Sequence, residues 1–139
     1  GEGWAHYTET LGPEFGLYTD PYQKMGYLSD QMLRAVRLVV DTGIHTGKMT
    51  REEAIKYYLS NISDSEEGAT AAIERYMAIP GQALGYKIGS LKILELRAKY
   101  QKQLGNKFNL AKFHDEILNQ GCLPLSVLER KMELWAKKQ

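Results

Sequence analysis

Residues 20–45, DPYQKMGYLSDQMLRAVRLVVDTGIH, form the longest periodic stretch of this 139-residue chain and decide its fold class. Asp20 followed by Pro21 is a typical helix start, with the aspartate as N-cap and the proline at the first helical position. Apolar side chains then recur every three or four residues. Their row comprises Met25, Leu28, Met32, Val36 and Val39, with Leu33 and Val40 beside it. The stretch is therefore predicted to be one amphipathic helix that ends near His45.

Turn and cap residues divide the rest of the chain into further helical segments. A first helix is predicted from about Glu2 to Leu11, with a loop over 12–19. Capping boxes at Thr50 and Ser63 start two more helices. The remaining expected bounds are 51 to about 59, 64 to about 78, 80 to about 104, 110 to 121 and 124 to 135. No segment alternates with the period of a strand, so we predict an all-α bundle of about six helices, in one domain over residues 1–139.

Composition and charge argue against several classes of protein. The formal net charge is +1 and the 18 basic residues are spread along the chain, so nothing indicates binding to nucleic acid or to an anionic membrane. No stretch approaches the roughly 18 apolar residues that a membrane span needs. Cys122 is the single cysteine, which excludes an internal disulfide and a cysteine-based zinc site. We interpret it as a small apolar residue.

Glu2 and His6 are the first candidates for chemistry, because residues four apart share one face of a helix. The carboxylate and the imidazole can converge on one metal ion, or they can hydrogen-bond each other. Two ligands do not make a catalytic zinc site, which takes three protein ligands and a water. On the residues alone, a solvated Glu–His pair at a helix end is the favoured interpretation.

Arg37, Asp41 and His45 form a second row, at four-residue spacing on the long helix. Arg37 and Asp41 can form an ion pair, and Asp41 can hold the His45 imidazole in one tautomer. Arg34 lies on the same side of the helix. The alternative is an exposed helix face with ordinary pairs between residues four apart.

The third candidate is the stretch PGQALGYK over residues 80–87, in which Gln82 and Tyr86 share a helical face. Glycines recur at positions 81, 85 and 89, a spacing that allows close approach of another helix, which we favour, or of a ligand. If a substrate backbone lies there, Tyr86 can donate a hydrogen bond to a developing oxyanion. Otherwise Tyr86 is a core residue whose hydroxyl is satisfied elsewhere.

Several catalytic motifs are absent from the sequence. It holds no Ser-His-Asp signature, no phosphate-binding glycine loop, no calcium loop and no H-E-x-x-H. Without H-E-x-x-H the chain cannot supply two histidines and a general base in the usual metallopeptidase arrangement. His114 is interpreted as a surface histidine.

Several blocks of this sequence, taken in order along the chain, resemble the blocks of a large bacterial family known as domain of unknown function 885. The resemblance covers essentially the whole chain. The matching blocks are EGWAHYTE (2–9), RAVRLVVDTGIH (34–45), TREEA (50–54), the stretch from Arg75-Tyr76 through Pro80-Gly81-Gln82-Ala83 and Tyr86-Lys87 to Gly89, and a tail that includes Leu104-Gly105, Phe113-His114-Asp115 and Pro124-Leu125.

This family is in turn similar to helical zinc peptidases of the thimet-oligopeptidase and angiotensin-converting-enzyme type. In those enzymes one helix carries H-E-x-x-H and a later helix supplies a glutamate as third ligand. The resemblance implies that Glu2 is the third zinc ligand. It also implies that Tyr86 and His45 are catalytic groups that bind substrate or stabilise the tetrahedral intermediate. His6 would lie behind the ligands rather than bind the metal.

The resemblance assigns substrate binding to four further residues. Arg37 and Asp41 would support His45 or bind a carboxylate, and Gly81 and Gln82 would lie along the substrate groove. The missing H-E-x-x-H part would lie upstream, so that residues 1–139 are expected to be the C-terminal fragment of a longer protein. That protein would bind zinc and a peptide substrate, whereas the fragment would bind no zinc.

Two functions are carried forward from the sequence. The first is the C-terminal portion of a zinc-dependent peptidase, inactive alone. The alternative is a non-enzymatic helical module that binds a peptide or a protein. A truncated surface is expected to expose an apolar patch and to allow self-association. The compartment stays open, with export from a bacterial cell as the candidate if a signal segment lies upstream.

Overall fold

The computed structural model describes all 139 residues and confirms the all-α prediction. Seven helices of two turns or more and one single-turn helix follow one another through short connections. They are α1 (Glu2–Glu9), α2 (Leu11–Glu14), α3 (Pro21–His45), α4 (Arg51–Asn61), α5 (Glu66–Ala78), α6 (Gly85–Leu104), α7 (Leu110–Leu118) and α8 (Leu125–Ala136). Short 3-10 turns lie at Gln82–Leu84 and Gly105–Lys107. No helix is both long and apolar enough to cross a bilayer.

Side-chain caps start the helices at three of the predicted positions. The Asp20 carboxylate accepts a hydrogen bond from the N–H of Tyr22 at the start of α3. Thr50 starts α4 in a complete capping box with Glu53, and Asn109 starts α7. Each cap satisfies a backbone donor that has no partner inside its helix, which is why these residue types predict the starts correctly.

Two helix starts differ from the prediction. Ser65, not Ser63, caps α5, because its hydroxyl accepts from the N–H of Gly68. The helix expected from Pro80 begins only at Gly85, after a 3-10 turn. Gly81 adopts a φ of +80°, in the left-handed region that glycine tolerates, and this residue separates α5 from the next helix.

α1 lies across α6 at a contact between two glycines. A Cβ built on Gly3 would come within 2.4 Å of the Gly89 Cα, and one built on Gly89 would come within 2.7 Å of the Gly3 Cα. Real Cβ atoms do not approach backbone this closely, so both positions require glycine. The favoured interpretation of the glycine row, tight helix packing, is confirmed at Gly89.

Two apolar clusters hold the fold together. The first joins α1 and α2 to α6, α7 and α8, and its largest fully buried side chains are Tyr7, Leu96, Tyr100, Phe113 and Met132. The second joins the C-terminal half of α3 to α4, α5 and the turn before α6, through Val36, Val40, Ala54, Tyr58, Ala69, Ile73, Tyr76 and Ala83. α3 and α6 therefore act as the two long members against which the shorter helices pack.

The apolar row predicted on α3 is only partly covered by the chain. Val36 is buried, whereas Met25, Leu28 and Met32 are 64%, 49% and 48% exposed. No residue of α3 before Val36 is buried. Periodicity correctly identifies an apolar helix face, but it does not reveal what covers that face. We call Met25, Leu28 and Met32 the exposed α3 row.

The glycine contact yields a stability prediction. We expect Gly89→Ala to destabilise the protein by about 1–3 kcal/mol, because the new methyl group must push α1 away from α6. Gly26→Ala is the matched control: it lies inside α3 with nothing within 4 Å of its Cβ position, and should gain up to about 1 kcal/mol from helix propensity. Urea unfolding measures both, and a Gly89→Ala variant as stable as wild type would contradict the close crossing.

The exposed α3 row yields a second prediction. Exposed apolar side chains that lie side by side favour association. We expect the 139-residue chain to self-associate, and the double variant Met25→Glu, Met32→Glu to be monomeric. Leu134→Glu, which changes an apolar residue of α8 that is 53% exposed and lies outside the exposed α3 row, should leave association unchanged. Sedimentation equilibrium is the measurement, and a monomeric wild-type chain at high concentration would show that the row does not self-associate.

Candidate functional site

Glu2 and Tyr86 meet although 84 residues separate them in the chain. The Tyr86 hydroxyl donates a hydrogen bond of 2.9 Å to Glu2 Oε1. Gln82 Nε2 lies 3.5 Å from the same oxygen. Glu2 directly precedes Gly3, and Tyr86 lies one helical turn before Gly89, so the glycine crossing sets this contact. The Glu2 carboxylate remains exposed to solvent.

Two guanidinium groups of α3 lie against the Tyr86 ring. The Arg34 Cζ is 4.5 Å from the ring centroid, and the Arg37 Cζ is 5.5 Å from it. Arg37 Nε also donates a 2.9 Å hydrogen bond to the Tyr76 hydroxyl, which fixes its direction. Cations over an aromatic face are attracted by the ring quadrupole. Positive charge is therefore concentrated around Tyr86, which suits an anionic group of a ligand.

Asp41 links the end of α3 to the turn that leads to Tyr86. Its carboxylate is 2% exposed and accepts from His45 Nδ1 at 3.0 Å. The same carboxylate accepts the backbone N–H of Gly81 at 3.1 and 3.2 Å. Both oxygens are thus engaged inside the protein. The predicted hold of Asp41 on the His45 imidazole is present, while Arg37, its other expected partner, turns to Tyr76 instead.

His45 is oriented by two oxygens of one residue. Its Nδ1 lies 2.8 Å from the Asp41 carbonyl and 3.0 Å from the Asp41 carboxylate, so Nδ1 carries the proton. The hydrogen bond to the Asp41 carbonyl is the main cause that raises the pKa of His45 above its usual value, with further contributions from the Asp41 carboxylate and from a hydrogen bond to the Met77 backbone. His45 can therefore be charged at a pH where a free imidazole is neutral.

A cavity of about 400 Å³ opens beside Glu2. α1, α6 and the connection between α7 and α8 form its walls, and most of its lining is apolar, with Trp4, Ile88 and Leu123 among the lining residues. Gly85 and Gly89 of the glycine row also line it, and the Gly89 Cα lies against Gly3. Sequence patterns gave no sign of this cavity, because its walls come from segments far apart in the chain.

His6 does not form the solvated pair with Glu2 that its spacing suggested. The residue is completely buried, and its Nδ1 contacts Glu9 Oε2 at 3.1 Å. Asp30 of α3 faces the same nitrogen at 3.9 Å. These three residues are the one group of potential metal ligands that the fold gathers. Sequence reasoning missed Asp30 because no spacing rule relates α1 to α3, whereas Glu9, three residues after His6 on the same helix, could have been found from its spacing.

His114 is half-buried rather than a surface residue. Its Nε2 lies 2.7 Å from the Tyr7 hydroxyl. Arg97 donates to the same hydroxyl at 3.4 Å and forms a two-contact ion pair with Glu14 at 2.9 and 2.7 Å. Burial lowers the pKa of His114, and burial likewise raises the pKa of Tyr7. This network braces α1 and α2 against α6 and α7, away from Tyr86.

The geometry at Asp41 predicts a change in the titration of His45. We expect Asp41→Asn to lower the pKa of His45 toward its ordinary value but not fully, because the backbone carbonyl still accepts from Nδ1. A raised folded pKa stabilises the fold below the unfolded pKa, and this stabilisation is lost as the pH rises through the folded pKa. The variant should therefore show a weaker dependence of stability on pH across that window.

Proton NMR titration of the histidine rings measures the effect. Asp115→Asn removes the same charge from an exposed position beside His114, and it should leave the His45 titration unchanged. An unchanged His45 pKa in Asp41→Asn would show that the carboxylate does not act on the imidazole.

Comparisons with known proteins bear on the whole chain. No curated protein matches it. One matching solved structure is described as "The crystal structure of the putative lipoprotein from Colwellia psychrerythraea". It is 50% identical in sequence and superposes with a TM-score of 0.95 over 99% of this chain, which spans only 24% of the length of that protein. The family described as "Bacterial protein of unknown function (DUF885)" matches residues 1–132. The chain therefore belongs to this bacterial family of proteins of unknown function.

Proposed function

We propose that this chain is the C-terminal portion of a zinc-dependent peptidase, in which it supplies one metal ligand and the groups that bind the reacting peptide. The observation that carries the proposal is the 2.9 Å contact between Tyr86 and Glu2. It joins the carboxylate that the family resemblance assigns to zinc and the phenol that it assigns to the oxyanion. Two residues with these roles must lie within reach of one substrate carbonyl.

Tyr86 is the proposed oxyanion donor. Its hydroxyl already points at the Glu2 carboxylate, so a short rotation brings the proton to an oxygen that lies between them. The guanidinium groups of Arg34 and Arg37 against its ring favour negative charge at this place. We assign Arg37 and Gln82 to binding the peptide, with the exposed Gly81 allowing its backbone to approach.

His45 is the second proposed group that contacts substrate. Nδ1 is held by Asp41, so the other ring nitrogen, Nε2, would exchange the contact with the Met77 backbone for a substrate carbonyl or carboxylate when the ring is charged. Asp41 is buried and both its oxygens are engaged. We therefore assign it a positioning role, in which it holds His45 and the Gly81 turn, rather than direct contact with the peptide.

The proposed zinc depends on residues outside this chain. Glu2 is the only ligand that the chain offers beside Tyr86, and it fits as one donor because its carboxylate is exposed and Oε2 accepts no hydrogen bond. Catalytic zinc takes three protein ligands, so the chain alone is proposed to be inactive. When bound, zinc polarises the scissile carbonyl and activates a water. The other ligands and the general base are proposed to lie in an H-E-x-x-H segment of a longer protein.

The alternative is a non-enzymatic module that binds a peptide or a protein, and the apolar cavity beside Glu2 favours it as a second candidate. The glycine row does not form the whole groove, because Gly89 is covered by Gly3. Binding that persists without metal would separate this function from the first. We also propose export from the bacterial cell, which rests on the neighbour described as a lipoprotein.

The peptidase proposal predicts a specific loss of rate. In the longer protein, we expect Tyr86→Phe to lower kcat by roughly 10²–10³-fold, with little change in KM, because the lost hydrogen bond forms mainly in the transition state. Tyr22→Phe is the matched control, since Tyr22 is 85% exposed on α3 and has no side-chain partner. Steady-state hydrolysis of a library of quenched fluorescent peptides, with and without a chelator, is the measurement.

Two results would reject the proposal. One is a longer protein that neither binds zinc nor cleaves any peptide while Glu2 and Tyr86 are intact. The other is a Tyr86→Phe variant with the kcat of wild type, which would remove the phenol from the reaction. Peptide binding that Tyr86→Ala weakens equally with and without the chelator would support the binding module instead.

A further inference from the structure

His6, Glu9 and Asp30 gather at the place where α1 passes the N-terminal half of α3. Each offers one ligand atom, and these atoms all lie within 4.8 Å of one another. His6 and Glu9 come from α1 and Asp30 comes from α3, so the group connects two helices that are far apart in sequence. None of the three takes part in the reaction proposed above.

The spacing of the ligand atoms suits a small divalent cation. His6 Nδ1 is 3.1 Å from Glu9 Oε2 and 3.9 Å from Asp30 Oδ2. Zinc binds nitrogen and oxygen at about 2.0–2.2 Å, which places neighbouring ligands of a tetrahedral site about 3.3 Å apart. The two distances bracket this value, so small side-chain rotations would complete the geometry. Calcium is disfavoured, because it takes six to eight oxygen ligands.

Unpartnered buried atoms are the second observation. Asp30 Oδ2 is buried and accepts no hydrogen bond, although it faces the His6 ring. The His6 side chain is completely buried and its Nε2 has no partner either, although an ion bound at Nδ1 would not engage Nε2. Buried carboxylate oxygens normally have a donor, because their desolvation is otherwise uncompensated. A cation between His6 Nδ1 and Asp30 Oδ2 would provide that partner.

The neighbouring charges are compatible with a bound cation. Arg34 holds only Oδ1 of Asp30, at 3.1 Å. Lys87 donates to Gln31 Oε1 at 2.8 Å rather than to either carboxylate. The Gln31 amide nitrogen lies 3.4 Å from His6 Nδ1 and is the one group that a metal at this nitrogen would displace. Two carboxylates with one guanidinium partner leave one negative charge for the cation.

We propose that His6 Nδ1, Glu9 and Asp30 bind one divalent first-row transition-metal ion, with zinc as the best fit to the donor set, and that this ion clamps α1 to α3. Side chains of α3 before Val36 are never fully buried, so apolar packing alone does not hold this half of the helix. A metal ion that bridges α1 and α3 would attach the N-terminal half of α3 to the rest of the protein. Glu9 and Asp30 are partly exposed, which leaves a water to complete the coordination.

Titration of the 139-residue chain with Zn²⁺ by calorimetry, and with Co²⁺ by visible absorption, tests the site. We expect one equivalent of metal per chain and a rise in Tm on adding zinc. His6→Gln and Asp30→Asn should each weaken binding by about tenfold or more and reduce the rise in Tm at a given zinc concentration. Asp30 is half-buried at a helix surface, so its variant keeps the test valid if the His6 variant does not fold.

Glu2→Gln is the matched control, because it removes the proposed catalytic ligand on the same helix and should leave this binding unchanged. Loss of binding in Glu2→Gln would place the metal between Glu2 and His6 and overturn the proposal. An absence of stoichiometric binding by the wild-type chain, or full affinity in Asp30→Asn, would overturn it as well. Because peptide hydrolysis is not measured, failure here is separate from failure of the peptidase proposal.

Discussion

The backbone contact between Gly3 and Gly89 is the constraint on which the candidate site depends. Without a side chain at either position, α1 lies directly on α6 and cannot slide without a clash. One end of the crossing brings Glu2 to the Tyr86 hydroxyl. The other end buries Tyr7 among the side chains of α6, α7 and α8. A single close approach thus fixes both a polar contact at the surface and the larger apolar cluster beneath it.

Asp41 performs a related task for the second half of the site. Its buried carboxylate makes three hydrogen-bond contacts, two of them with the N–H of Gly81 and one with His45. The Gly81 turn cannot continue the helix, and the next helix begins at Gly85 in the orientation that presents Tyr86 to α1 and α3. Asp41 therefore holds His45 and the turn before α6, while the contact between Gly3 and Gly89 holds Tyr86 against α1. Their arrangement does not depend on exposed ion pairs, which contribute little to stability.

Sequence reasoning recovered the fold class and the capped helix starts, because these depend on local rules. Asp20, Thr50 and Asn109 cap helices where predicted, since each satisfies a donor in its own first turn. The Pro80 start was wrong for a non-local reason: Asp41, forty residues earlier, takes the N–H of Gly81. The exposure of the α3 row could not be predicted for the same reason. Periodicity identifies an apolar helix face but not the distant segment that covers it.

The candidate site likewise has a part that local spacing predicts and a part that depends on contacts between distant segments. Helical spacing correctly joined Asp41 to His45, which lie four residues apart on one helix. It paired His6 with Glu2 and was wrong, because the burial of a helix face depends on what packs against it: His6 faces α3, while Glu2 faces α6. Only the family resemblance connects Glu2 with Tyr86 at the level of sequence, because no rule of local spacing relates residues 84 positions apart.

The short helix α1 therefore contributes to two polar groups from one stripe of side chains, and its packing on α6 positions both. Glu2 at its first turn meets Tyr86, and His6 and Glu9 one and two turns later meet Asp30. Residues at i, i+4 and i+7 share a stripe of a helix, so one glycine crossing positions all three side chains, with Glu2 reaching Tyr86 of α6 and His6 and Glu9 reaching Asp30 of α3. A shift of α1 would disturb both groups together. Precise placement of the Glu2 carboxylate thus requires that the C-terminal end of α1 also be held firmly against α3.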